Sequence, residues 1–122
     1  MELDDNLEIW YERVVEATKM VAAPYSIQKT LFPENFPIVD EIALNFCDEV
    51  EAQVDYLLDI ELITNIQYEK IKQLSRNFSH MSNDKIIDYW SLENLEKFGE
   101  WEQCRILARE ILEIFDKKLV EW

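Results

Sequence analysis

Trp101-Glu-Gln-Cys-Arg-Ile-Leu-Ala-Arg-Glu-Ile-Leu-Glu-Ile-Phe115 decides the fold. Trp101, Cys104, Leu107, Ala108, Ile111, Leu112 and Phe115 recur at intervals of three and four, which puts them on one broad stripe of an α-helix. Leu119 extends that stripe, so the helix is expected over 100–120 as a central packing element, buried against the first helix and an acidic helix described below. The residues off the stripe are spaced for compensation: Glu102 with Arg105, Arg109 with Glu113, and Glu113 with Lys117.

Working outward, the same periodicity predicts a first helix over 5–22, with Leu7, Trp10, Tyr11, Val14, Val15, Thr18, Val21 and Ala22 on one face and Pro24 ending it. Ser26 is expected to cap a short helix over 27–31, closed by Pro33, and Pro37 suits the first turn of the next helix. That helix is read as continuous over 38–59, with Val39, Ile42, Phe46, Val50, Val54 and Leu57 inward. Thr64 and Gln67 have capping-box spacing and open a helix to about residue 76. The polar stretch 77–84 reads as a loop. Ser82 and Ser91 are expected to start short helices over 83–89 and 92–98, before Gly99, the only glycine, supplies a left-handed stop.

The fold class expected is therefore all-α, a compact single-domain bundle of about five to seven helices over 1–122. A chain of 122 residues with 48% hydrophobic residues can bury a core without metal or disulfide staples. One glycine, three prolines and one histidine argue against hairpin-rich sheets, phosphate-binding loops and dinucleotide crossovers. Cys47 and Cys104 fall on inward helix faces with no metal-ligand spacing nearby, and read as buried free thiols. The N-terminus carries acids where a secretion signal carries bases, and no apolar run reaches the length of a membrane span, so a cytoplasmic location without membrane contact is expected.

Charge is the outlying property. Twenty-six acids against 12 bases leave a net charge of -14, which disfavours direct nucleic-acid binding and adhesion to anionic lipid. From Thr30 to Glu69, 40 residues hold no Lys or Arg and ten acids: Glu34, Asp40, Glu41, Asp48, Glu49, Glu51, Asp55, Asp59, Glu61 and Glu69. On a continuous helix, Asp40, Glu41, Asp48, Glu51, Asp55 and Asp59 would line an arc of about 100°, with Leu44, Tyr56 and Leu58 in or beside it. Asp5, Glu8, Glu12 and Glu16 repeat the theme on the first helix. Like charges at such spacing weaken a helix by a few tenths of a kcal/mol per pair, whereas the last helix compensates its own. Two readings account for this: solubility, or an electrostatic surface for a cationic partner with Asp40, Glu41, Leu44, Asp48, Glu51, Asp55, Tyr56, Leu58 and Asp59 as the contact residues.

Catalytic patterns are missing from the sequence. Carboxylate pairs are too numerous to single one out, and His80 is the sole histidine, without the Glu-x-x-His spacing of a di-iron bundle. Gly99 stands in no calcium-loop pattern. The chain is read as a non-enzyme with no cofactor. Of the tryptophans Trp10, Trp90, Trp101 and Trp122, Trp10 and Trp101 read as core.

A small, acidic, helical chain ending in Ser91-Leu-Glu-Asn-Leu-Glu-Lys-Phe-Gly-Glu-Trp and the stretch quoted above resembles bacterial immunity proteins, particularly the helical ones of contact-dependent growth inhibition and bacteriocin systems. The resemblance covers size, charge and helical organisation, and carries no residue role across. It implies an inhibitor that binds a cognate protein toxin with a basic surface, often a nuclease, at its active site or beside it. The acidic helix reaches the same class by complementarity to a phosphate-binding cleft. A DNA-mimic inhibitor of a nucleic-acid-binding protein or defence nuclease, and a helical adaptor whose acidity serves solubility, are the alternatives the residues allow; oligomeric state is left open.

Overall fold

The structure, a computed structural model, describes residues 2–33 and 35–115, with side chains from residue 8 onward. It is all-α, and no β-strand occurs among the described residues. The order is α1 (Glu2–Ala22), α2 (Tyr25–Gln28), α3 (Ile38–Glu49), a 3-10 turn (Glu51–Gln53), α4 (Val54–Asp59), α5 (Asn65–Asn83), α6 (Leu92–Lys97) and α7 (Gly99–Ile114).

The stripe on α7 sits at the centre as its spacing requires. Trp101, Cys104, Ala108, Ile111 and Leu112 are fully buried, while Leu107 and Phe115 are half-buried. Its neighbours are α1 and α5, and α3 packs on α1 instead, so the expected contact of the last helix with the acidic helix gives way to one with α5. Tyr11 and Phe115 seal the α1–α7 seam: the rings meet edge to face at 5.3 Å and the Tyr11 hydroxyl donates to Phe115 O at 3.2 Å. Leu119, Lys117 and Trp122 lie outside the described residues, as do the side chains of Asp5 and Leu7.

Polar side chains replace glycine at the C-terminus of α1, where the last carbonyls lack helical donors. Gln28 Nε2 donates to Met20 O and Val21 O, and Arg109 Nε donates to Ala22 O at 2.8 Å instead of pairing with Glu113. Arg105, expected as a surface partner of Glu102, is 4% exposed. It keeps Glu102 at 3.1 Å but also donates to Gln28 Oε1 and Leu95 O, tying α2, α6 and α7 together.

Caps account for the boundaries that were read correctly and for those that were not. Thr64 and Gln67 form the full capping box, and Gln67 Nε2 also reaches Ile111 O at 3.1 Å. Ser91 Oγ accepts from Asn94 N and opens α6. Ser26 caps nothing, since α2 starts two residues earlier than expected, with Pro24 as its N-cap. The expected loop over 77–84 is helical to Asn83, because Phe78 and Met81 continue the buried line of Ile71 and Leu74. The helix expected over 83–89 does not form. There Asp84 accepts from Ile86 N and Ile87 N, and Asp88 from Trp90 N, turns that compete with a helix ladder.

Gly99 is no left-handed stop: it opens α7 with ordinary dihedrals and open space where a Cβ would stand. Left-handed backbone occurs instead at Glu61, φ 61°. Leu62 N donates to Leu57 O and Glu61 N to Leu58 O, the paired bonds of a Schellman motif that ends α4.

Candidate functional site

The acidic helix is not continuous. α3 stops at Glu49, Val50 has φ -119°, and the chain passes through the 3-10 turn before α4. Asp48, Glu49 and Glu51 crowd the negative end of α3 with no base beside them, which disfavours propagation of the helix. Gln53 Nε2 donates to Asp48 O, taking up a carbonyl that the helix leaves open. The single arc expected over 38–59 is thus two surfaces, with Asp40, Glu41, Leu44 and Asp48 on α3, Glu51 in the turn, and Asp55, Tyr56, Leu58 and Asp59 on α4.

On α4 the expected contact residues have partners of their own. Asp55 accepts from the Tyr68 hydroxyl at 2.9 Å, and Lys72 Nζ lies 6.0 Å from the Tyr68 ring centre. That hydrogen bond to Asp55 holds the Tyr68 phenol above its ordinary pKa. Tyr56 is 49% exposed and its ring lies 5.7 Å from that of Trp10, which is half-buried and packs against the core. Leu58 packs half-buried against the core, and Asp59 faces solvent.

Three of the expected residues meet in one place. Asp40, Leu44 and Glu51 line a groove of about 570 Å³ between α3 and α5. Ala43 and Cys47 complete the α3 wall, Ser75, Phe78, Ser79, Ser82 and Asn83 form the α5 wall, and Trp90 also lines the groove. Leu44 is 51% exposed there. Glu41 and Asp48 lie outside the groove lining; Glu41 is half-buried, and Asp48 is exposed.

Ser75 Oγ is buried in the groove wall without a hydrogen-bond partner. Cys47 is half-buried, and burial, then Glu51 and Asp48, push its thiol pKa up. It stays protonated at neutral pH and is a poor nucleophile. Ion pairs among the described residues are Lys70–Glu110 at 2.9 Å and Arg105–Glu102 at 3.1 Å, and neither involves an acid of the base-free stretch.

Sequence reasoning missed the α5 wall. Ser75, Ser79 and Ser82 are spaced by four and three, as are Leu74, Phe78 and Met81, so a helical face was present beneath the polar composition that suggested a loop. His80 is exposed on α5, and a cavity of about 220 Å³ beside it is lined by Asn77, Met81, Glu100 and Gln103. No set of three or more His, Cys, Asp or Glu placed to hold a metal occurs among the described residues, and no helix among them is long and apolar enough to cross a membrane. No family model, no curated protein and no solved structure matches this chain.

Proposed function

We propose that this chain is an immunity protein that binds the basic surface of a cognate protein toxin, a nuclease domain being the best fit, and neutralises it without catalysis of its own. The observation that carries the reading is the uncompensated surface of α3 and α4. Acids of the stretch from Thr30 to Glu69 stand apart from both ion pairs of the described residues, beside the exposed Leu44 and Tyr56. Carboxylates that like charges destabilise at home gain most from a cationic partner, and apolar groups among them supply contacts that charge alone does not.

A nuclease cleft must be cationic to hold phosphates, so an acidic surface fits it. The break in the helix at Val50 interrupts the regular spacing that imitation of a phosphate backbone requires, which favours a protein toxin's surface over general DNA mimicry. Co-expression with the product of the gene immediately upstream tests the reading. Rescue of growth and recovery of a stable complex are expected; a toxic upstream product that this chain neither binds nor silences would refute it.

A further inference from the structure

We infer that the groove between α3 and α5 is the seat of a short amphipathic helix from the basic partner, lying with its apolar face on Leu44, Phe78 and Trp90 and its Lys or Arg residues against Asp40 and Glu51. This rests on the reading of the chain as a binder of a basic protein, and names the element it grips.

The groove has the form of a missing helix. α3 packs on α1 and α5 on α7, which leaves the space between α3 and α5 lined by side chains of both and open to solvent. From Ser75 to Asn83 its wall rises about 12 Å at 1.5 Å per residue, the length of two to three turns. An extended peptide would find no ladder to join, since the backbone groups of α3 and α5 are bonded within their own helices. A helix satisfies its own backbone and needs only a groove for its apolar side.

Charge selects the flanks. Asp40 and Glu51 stand at opposite ends of the α3 wall, and no Lys or Arg lines the groove. Independently of those acids, Ser75 Oγ is buried in the groove wall with no hydrogen-bond partner among the protein's own groups. A buried hydroxyl left without a partner is unfavourable, which marks the α5 wall as the incompletely satisfied side of the groove. Leu44, half-exposed on its own, becomes a buried contact.

The test uses the full chain and a synthetic peptide of about 18 residues with a leucine face flanked by lysines, set against the same peptide with glutamates for lysines. Calorimetry and amide chemical-shift mapping are read together. The lysine peptide is expected to bind with shifts centred on residues 40–51 and 75–90, and the glutamate peptide to show no binding. Ser79→Trp, at an exposed position on the groove wall, is expected to weaken binding about tenfold or more by occupying the space. Asp40→Lys with Glu51→Lys is expected to weaken it about tenfold or more, while Glu93→Lys with Glu96→Lys on α6 changes it less than about threefold.

Equal losses from the two charge reversals would reduce the effect to bulk charge and overturn the proposal, as would binding untouched by Ser79→Trp. Self-association of the chain that Ser79→Trp abolishes in sedimentation would assign the groove to a second copy, and also overturn it. Peptide binding as expected with no toxin rescue would remove the toxin reading and leave the groove proposal standing. Toxin rescue undiminished by Ser79→Trp would remove the groove proposal alone.

Discussion

Arg105 Nε donates to Gln28 Oε1 at 3.0 Å, joining two buried side chains 77 positions apart in the chain. Through the other Gln28 atoms and the rest of the guanidinium, this bond connects carbonyls of α1 and α6 to the middle of α7. Arg105→Ala leaves Gln28 Oε1 and Leu95 O buried without donors, and is expected to lower stability by about 2–4 kcal/mol in urea melts. Arg105→Lys should recover little of this, because an ammonium cannot span three acceptors in one plane. A loss under about 0.5 kcal/mol for Arg105→Ala would show that water reaches these groups. Glu102 belongs to the same cluster, so it is a poor site for a neutral charge reversal.

Cys104 makes stability depend on alkaline pH. Burial, more than any nearby charge, pushes its thiol up from the ordinary value of 9.0 to about 12. The native chain therefore keeps a proton that the unfolded chain gives up, and stability falls as pH rises between those values. The slope expected from this one group is about 1.4 kcal/mol per pH unit. The difference in unfolding free energy between the natural chain and Cys104→Ala, measured from pH 8 to pH 11, should shrink accordingly. A difference constant with pH would mean that the thiol ionises freely in the fold.

Glu61 and Gly99 stand in each other's natural places. Glu61 carries the left-handed dihedral, while Gly99 begins a helix with room for a methyl group. Glu61→Gly is expected to stabilise by about 0.5–1 kcal/mol, since it relieves the Cβ clash and removes a negative charge from the negative end of α4. Gly99→Ala should add a similar gain of about 0.5–1 kcal/mol by reducing the freedom of the unfolded chain. Thermal melts of each variant check both.

Association with the basic partner proposed above is expected to be fast and salt-sensitive. The acids of α3 and α4 act at a distance that salt screens over about 8 Å at physiological ionic strength, so the on-rate is expected to fall roughly tenfold or more from low to physiological salt. Asp48→Lys, at an exposed position outside the groove lining, should lower the on-rate and flatten its salt dependence while changing the off-rate little. Stopped-flow measurements decide it. An on-rate indifferent to salt would return the charge to solubility alone.

Residues whose environment is set within one turn of helix were legible in advance. Trp101, Ala108, Ile111 and Leu112 announce their burial by spacing, and the hydroxyls of Thr64 and Ser91 announce their helices because each needs only the amide three positions on. Where the same residue type competes with a distant partner, local reading failed. Ser26 and Ser82 resemble Ser91 in sequence, but Ser26 is already the second residue of α2, which Pro24 caps, and Ser82 lies inside α5, whose buried Phe78 and Met81 hold the helix together. Arg105 looked like a surface charge because its pairing with Glu102 is local, while its bonds to Gln28 and Leu95 are not. The acids of the site were visible and their placement was not: Asp40, Leu44 and Glu51 are brought opposite Ser75 and Phe78 by tertiary packing, and Val50 turns the helix where a uniform 100° step assumes none.

The break at Val50 divides the acidic stretch between elements that do not share one helical register. Asp40 and Asp48 belong to α3 and Asp55 and Asp59 to α4, joined through Glu51 in the 3-10 turn. The placement of one set of carboxylates against the other is therefore set by the few residues of that turn and not by the 100° step along a helix. A substitution there that restores a continuous helix would rearrange the acids on either side of it while leaving the net charge unchanged.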